Sequence, residues 1–137
     1  MAILLDPSAV IAAADAADLN HAAAVAWFAR VDEPLLLGAL SLAELDLLLQ
    51  RELGVAATEA VLATLAADAI RLVTPTREDL VRAGELMRAA AEHRPRLADA
   101  LLVAAAERLG VRRVAAFDRR PLAVLRPRHV RALEFEP

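Results

Sequence analysis

Short apolar runs alternate along the chain with longer segments in which apolar residues recur at helical spacing. The first run, residues 3–5, is continuous rather than alternating, which predicts a strand that is buried on both faces of a sheet. The predicted strands are 3–5, 35–37, 70–73, 114–117 and 130–135. The predicted helices are 7–14, 21–31, 41–53, 56–67, 77–92 and 97–109, with a short helix within 119–125.

Polar and special residues mark where several of these helices begin and end. Asp6 followed by Pro7 is typical of a helix start, with the aspartate as N-cap and proline as the first helical residue. The segments Ser41–Glu44 and Thr76–Asp79 both have the form of a capping box. Gly110 stands where a helix would end in a left-handed residue. These signals support the predicted helix boundaries.

Strands that alternate with helices predict an α/β fold with a mostly parallel central sheet flanked by helices. The length of 137 residues fits one domain, residues 1–137, with a sizeable core. In such sheets a site forms beyond the carboxyl ends of the strands. Asp6 and Asp118 each follow a predicted strand, and Glu44 and Asp99 each lie in the first turn of a helix. We therefore expect four carboxylates to converge at one edge of the sheet.

Each of these acids also has a purely structural interpretation. Asp6 and Asp118 could cap helices, Glu44 could complete a capping box, and Asp99 could complement a helix dipole. Four carboxylates in one cleft, however, repel each other unless a cation neutralises them. Mg²⁺ prefers such oxygen ligands and can activate a water for attack on a phosphate. The remaining acids are expected on solvated faces; they include Asp46, Glu52, Glu78, Asp79 and Glu85.

Composition narrows the classes of function. The chain has no cysteine, which excludes disulfides and thiolate chemistry, and no nucleotide-binding glycine motif. The net charge of -3 argues against extensive wrapping of nucleic acid. Seven arginines nevertheless fall within residues 112–131 beside one acid, either as a solvated surface or as a phosphate-facing rim. No apolar run is long enough to span a membrane, and we expect a soluble cytoplasmic protein.

Four segments together resemble the PIN-domain nucleases, and most closely the VapC-type toxins of bacterial toxin–antitoxin modules. The segments are 3–10 (ILLDPSAV), 41–48 (SLAELDLL), 96–103 (RLADALLV) and 114–120 (VAAFDRR). The resemblance implies an endoribonuclease that depends on Mg²⁺ or Mn²⁺ and hydrolyses RNA with metal-activated water. It also implies a homodimer and a cognate antitoxin partner. The implied catalytic and metal-binding residues are Asp6, Glu44, Asp99 and Asp118, with Ser8 supporting the first of them.

The sequence departs from the family pattern at three positions. Pro7 replaces a commoner Thr or Ser, which a first helical position tolerates. Ala116 lacks the hydroxyl that many members carry two residues before the last aspartate, which would weaken ion binding or activity. Arg120 stands where some members have a further acid, which argues against a second metal ion.

Two alternatives compete with this interpretation. A haloacid-dehalogenase-like phosphatase would also use an aspartate after the first strand, but Ser8 replaces its second aspartate and the chain has no lysine. A PIN-like fold that is catalytically weak or inactive would instead serve as a protein-interaction module. Ala116 and the apolar composition favour that second alternative.

Overall fold

The computed structural model describes residues 1–137, which form one five-stranded sheet flanked by seven α-helices. The strands are β1 (Ile3–Leu5), β2 (Leu35–Gly38), β3 (Arg71–Val73), β4 (Arg113–Ala115) and β5 (Glu134–Glu136). The helices are α1 (Pro7–Ala14), α2 (His21–Arg30), α3 (Ser41–Leu53), α4 (Val55–Ala66), α5 (Arg77–Ala89), α6 (Leu97–Leu109) and α7 (Arg120–Ala123). A 3-10 turn, Ala91–His93, follows α5. None of the helices combines the length and apolarity that crossing a membrane requires.

The sheet has the order β3-β2-β1-β4-β5, and every pair of neighbouring strands is parallel. The predicted α/β class is confirmed. Strand β1 lies in the middle, with Leu4 in register with Leu36 of β2 and Val114 of β4. After β1 the chain forms β2 and β3 on one side of that strand, and then β4 and β5 on its other side. This reversal opens a crevice at the carboxyl end of β1, where ligands bind in open α/β sheets.

Two apolar clusters cover the two faces of the sheet, which explains why the central strand β1 is continuously apolar. Because side chains alternate along a strand, Leu4 contributes to one cluster while Ile3 and Leu5 contribute to the other. The first cluster draws on α5, α6 and α7, and the second on α1, α2 and α3. Helix α4 contributes no buried residue to either of them.

The predicted helix ends are confirmed at three places and wrong at one. Asp6 caps α1, Thr76–Asp79 forms a capping box on α5, and Gly110 ends α6 in a left-handed conformation. The capping box predicted for Ser41–Glu44 is wrong, because the chain already turns at Ala39, whose carbonyl accepts from the Leu42 amide at 3.2 Å. Ser41 is thus the first helical residue, and no side chain caps α3.

Three further differences concern strand ends and one acid. Strand β4 ends at Ala115 rather than residue 117, and β5 begins only at Glu134. Leu133, which precedes β5, is buried by packing in the first apolar cluster and not by strand pairing. The solvated position predicted for Asp79 is also wrong: its carboxylate is 3 % exposed and pairs with Arg108.

Candidate active site

Asp6 directly follows β1 and is buried in the crevice at the carboxyl end of that strand. Its backbone amide donates to the Ala115 carbonyl at 2.9 Å, which fixes Asp6 beside the end of β4. Its carboxylate accepts hydrogen bonds from the amide of Ser8, at 3.0 Å, and from the Ser8 hydroxyl. The predicted support of Asp6 by Ser8 is therefore confirmed as a contact.

The Ser8 hydroxyl also connects the two sides of the crevice. Its oxygen accepts from the backbone amides of Phe117, at 3.0 Å, and Asp118, at 3.3 Å. Both amides lie in the loop that follows β4. One hydroxyl thus fixes the Asp6 carboxylate relative to the segment that carries Asp118.

Burial and two other acids of the predicted site affect the pKa of Asp6. Burial raises the pKa of the Asp6 carboxyl, and the negative charges of Asp99 and Glu44 raise it further. The two hydrogen bonds from Ser8 oppose this rise without cancelling it. A cation bound beside Asp6 would reverse the effect by favouring the ionised form.

Glu44 and Asp99 lie in the first turns of α3 and α6 and share one partner, Arg96. The Arg96 Nε donates to an Asp99 carboxylate oxygen at 3.1 Å, and its Nη1 donates to Glu44 at 2.9 Å. Burial works against the charge of Arg96, but the attraction of Asp99 and Glu44 outweighs it and raises the pKa of the guanidinium. A protein cation therefore lies between two of the predicted site acids.

Asp118 lies at the rim of the same site. Its side chain is 52 % exposed and approaches only Arg120, at 3.5 Å. Asp118, Arg120, Arg96 and Asp99 line one cleft of about 390 Å³. Arg96 thus joins Glu44 to Asp99, and Asp99 and Asp118 line one cleft, which neither Asp6 nor Glu44 lines.

The carboxylate oxygens of the site are ligands that a hard divalent cation prefers, although the acids are not arranged around one common point. No three side chains of His, Cys, Asp or Glu are grouped so that they could hold a metal ion together. Mg²⁺ normally binds through one or two carboxylates, several waters and substrate phosphate, so it does not require three protein ligands. The Asp6 carboxylate, whose pKa is raised by burial and further by the charges of Asp99 and Glu44, fits such an ion. Asp6 and Asp99 are the buried acids that such an ion would meet.

The structural interpretations of the four acids hold for only two of them. Asp6 caps α1, and Asp99 lies where it complements the dipole of α6. Glu44 completes no capping box, since its only hydrogen bond comes from Arg96. Asp118 caps no helix, because Arg119 occupies the N-cap of α7. The positions of Glu44 and Asp118 therefore have no explanation in helix capping.

Arg96 is the site residue that sequence reasoning missed. The pattern places it in a basic loop before α6 and gives it no role. A signal was present, because a basic residue three positions before an acid at a helix start can pair with that acid. The second contact, to Glu44, joins residues 52 positions apart, and no local pattern indicates it.

Comparison with known proteins gives the same fold and family. Residues 3–126 match the model of the PIN domain. The chain is 33 % identical over 125 residues to Ribonuclease VapC26 of Mycobacterium tuberculosis, covering 91 % of this chain and 93 % of that protein.

Solved structures agree with that match. The crystal structure of Mycobacterium tuberculosis VapC20, described as a sarcin-ricin loop cleaving toxin, has a TM-score of 0.82 at 26 % identity and covers 94 % of this chain and 98 % of its own. VapBC2 of Rickettsia felis, bound to a promoter DNA fragment, has a TM-score of 0.71 at 12 % identity with full coverage of both chains. FitAcB of Neisseria gonorrhoeae has a TM-score of 0.67 at 20 % identity, covering 90 % of this chain and 92 % of its own. The last two show the fold alone. The chain therefore belongs to the PIN-domain family, and within it to the VapC-type ribonuclease toxins.

Proposed function

We propose that this protein is the toxin of a type II toxin–antitoxin system and acts as a divalent-metal-dependent endoribonuclease. The observation that carries the proposal is the pair of hydrogen bonds by which Arg96 joins Glu44 to Asp99, while Asp6 is buried at the carboxyl end of the central strand. Family membership supports an RNA phosphodiester as the bond that is cleaved.

Asp6 and Asp99 are the residues we expect to hold Mg²⁺ or Mn²⁺. Glu44, which pairs with Arg96, and Asp118, which lines the cleft, would contribute further oxygens. When bound, the ion would make a water more acidic and offset the charge that develops on the phosphate. Ser8 orients Asp6 through its hydroxyl and its amide. Arg120, beside Asp118 in the cleft, offers a cation to the RNA backbone.

Purified protein incubated with RNA tests this activity directly. We expect cleavage in the presence of Mg²⁺ or Mn²⁺ and its loss when a chelator removes the ion. Absence of cleavage of every RNA tested, under saturating metal, would favour the alternative of a catalytically weak or inactive interaction module. The buried Ala116, which brings no hydroxyl toward the site, would then be the first residue to change.

We further propose that the antitoxin docks in an apolar groove between α1, α2 and α4. The groove has a volume of about 360 Å³ and is lined mainly by apolar side chains, among them Val10, Phe28, Leu37, Ala57, Ala60 and Val61. Val55 and Leu62 leave more apolar surface exposed on α4. Exposed apolar surface of this kind marks a partner site, and an amphipathic segment is a usual occupant. Membership of the VapC-type family supports a protein partner of this kind.

The variant Ala60→Glu should weaken antitoxin binding by about tenfold or more, because it places a charge in the apolar groove. Ala60 is exposed, so the substitution should leave the fold intact. Ala63→Glu on the same helix is the matched control, since Ala63 is exposed but does not line the groove. Calorimetry with the purified antitoxin measures both; equal affinities for the two variants would place the interface elsewhere.

We also propose that the protein is a homodimer, as membership of the family implies. A solution mass near twice the chain mass of 14.6 kDa would support this assembly, and a mass near that of one chain would contradict it.

A further inference from the structure

We propose that Arg96 is a displaceable counter-ion of the active site: its guanidinium neutralises Glu44 and Asp99 in the metal-free protein, and a divalent ion must displace it to bind. The inference rests on the proposed metal-dependent function. If so, Arg96 lowers the affinity of the site for the metal ion and thereby raises the metal concentration at which the site becomes occupied.

The first argument is the geometry of the contact. Arg96 uses two different nitrogens, Nε toward Asp99 at 3.1 Å and Nη1 toward Glu44 at 2.9 Å. The guanidinium thereby bridges α3 and α6, the two helices whose first turns bring acids to the site. Both hydrogen bonds join a charged donor to a charged acceptor, which makes them stronger than bonds between neutral groups. Arg96 therefore donates hydrogen bonds to both carboxylates at the same time.

The charges of this contact do not balance. Glu44 and Asp99 lie close enough for one guanidinium to contact both, and Arg96 is the only basic side chain that pairs with either of them. Arg120 pairs instead with Asp118. One positive charge is thus shared between two carboxylates. A divalent ion would offset more of their negative charge, so it has an electrostatic advantage over the guanidinium.

Nothing but the two acids holds the Arg96 side chain, so it can move out into solvent. Its side chain is 56 % exposed, whereas the Asp99 side chain is 4 % exposed. Its only side-chain hydrogen bonds are those to the two acids. Exposed ion pairs contribute little to stability, because water solvates the separated charges. Arg108, by contrast, pairs with an almost fully buried Asp79 and is 33 % exposed itself. Arg96 is thus held by the acids and by nothing else.

Calorimetric titration of the metal-free protein with Mn²⁺ tests the competition. We expect Arg96→Gln to bind Mn²⁺ about three- to tenfold more tightly than wild type, because the competing charge is gone. Arg96→Lys should stay within about twofold of wild type, since it keeps the charge. Arg77→Gln is the matched control: Arg77 is exposed at the start of α5, makes no ion pair, and its loss removes the same charge.

Thermal unfolding gives a second readout that does not depend on activity. In chelator, Arg96→Gln should melt about 2 °C or more below wild type, because the acids lose their counter-ion. Saturating Mn²⁺ should close that gap, since the ion replaces the guanidinium. Arg77→Gln should show no such dependence on the ion.

Unchanged or weaker Mn²⁺ binding by Arg96→Gln would overturn the inference. If Asp99→Asn still abolished Mn²⁺ binding in that case, the proposed metal site would stand without the counter-ion. If neither wild type nor Arg96→Gln bound Mn²⁺, both the inference and the proposed metal site would fall.

Discussion

Replacing Asp99 with asparagine should lower the rate of RNA cleavage by about a hundredfold or more, because the site loses a buried carboxylate that we expect to hold the metal ion. Asp99 is buried in the first turn of α6, where its carboxylate accepts a hydrogen bond from Arg96 at 3.1 Å. Asparagine has nearly the same shape, so the fold should be kept. The measurement is initial cleavage rate at saturating Mg²⁺ or Mn²⁺, together with toxicity on expression.

Glu59→Gln is the matched control for this substitution. It also removes one carboxylate charge from a helix, but Glu59 is exposed on α4 and makes no hydrogen bond or ion pair. Its cleavage rate should equal that of wild type. A folded Asp99→Asn variant that cleaves RNA at the wild-type rate would remove Asp99 from the catalytic site.

The largest effect on stability is expected from Asp79→Ala, which should lower the free energy of unfolding by about 2–4 kcal/mol. Asp79 accepts hydrogen bonds from Arg108 Nε, at 3.0 and 3.1 Å, and from the Thr76 amide, at 3.0 Å. The substitution removes half of the capping box on α5 and leaves Arg108 without a partner between α5 and α6. Urea unfolding at neutral pH measures the loss.

The contribution of Asp79 should also depend on pH. Burial works against ionisation of Asp79, but the hydrogen bonds and charge of Arg108 and the bonds from Thr76 outweigh it and lower the pKa of the carboxyl. A lowered pKa stabilises the fold above the unfolded-state value of about 3.9, and that stability is lost as the pH falls through the folded-state pKa. The difference between wild type and Asp79→Ala should therefore shrink in acid.

Glu78→Ala provides the control for both measurements, because Glu78 is the exposed neighbour of Asp79 in the same turn. It should change the free energy of unfolding by no more than about 0.5 kcal/mol at any pH. A loss as large as that of Asp79→Ala would mean that charge in the first turn, rather than the buried pair, stabilises α5.

The sheet could be predicted because its causes are local. Continuous apolar runs such as Ile3–Leu5 indicate strands covered on both faces, and helices between them impose parallel connections. The positions of Asp6 and Asp99 follow from the same logic, since each lies next to the end of an element. The sheet order then brings these ends to one crevice.

The features that could not be predicted depend on contacts between distant residues. Arg96 meets Glu44 only because α3 and α6 begin at the same edge of the sheet. Asp79 is buried because Arg108, 29 positions away, packs against it. Strand β5 is short because only Glu134–Glu136 pairs with β4, while Leu133 before it is buried by packing. Periodicity along the chain carries no information about these partners.

The most direct test of the metal site is anomalous X-ray diffraction from crystals soaked in Mn²⁺. The account predicts one anomalous peak in the crevice beside Asp6 and Asp99, with the Arg96 guanidinium moved away from the ion. The absence of a peak at saturating Mn²⁺, or a peak bound by acids elsewhere in the chain, would contradict the assignment of Asp6, Glu44, Asp99 and Asp118 as a metal-binding site.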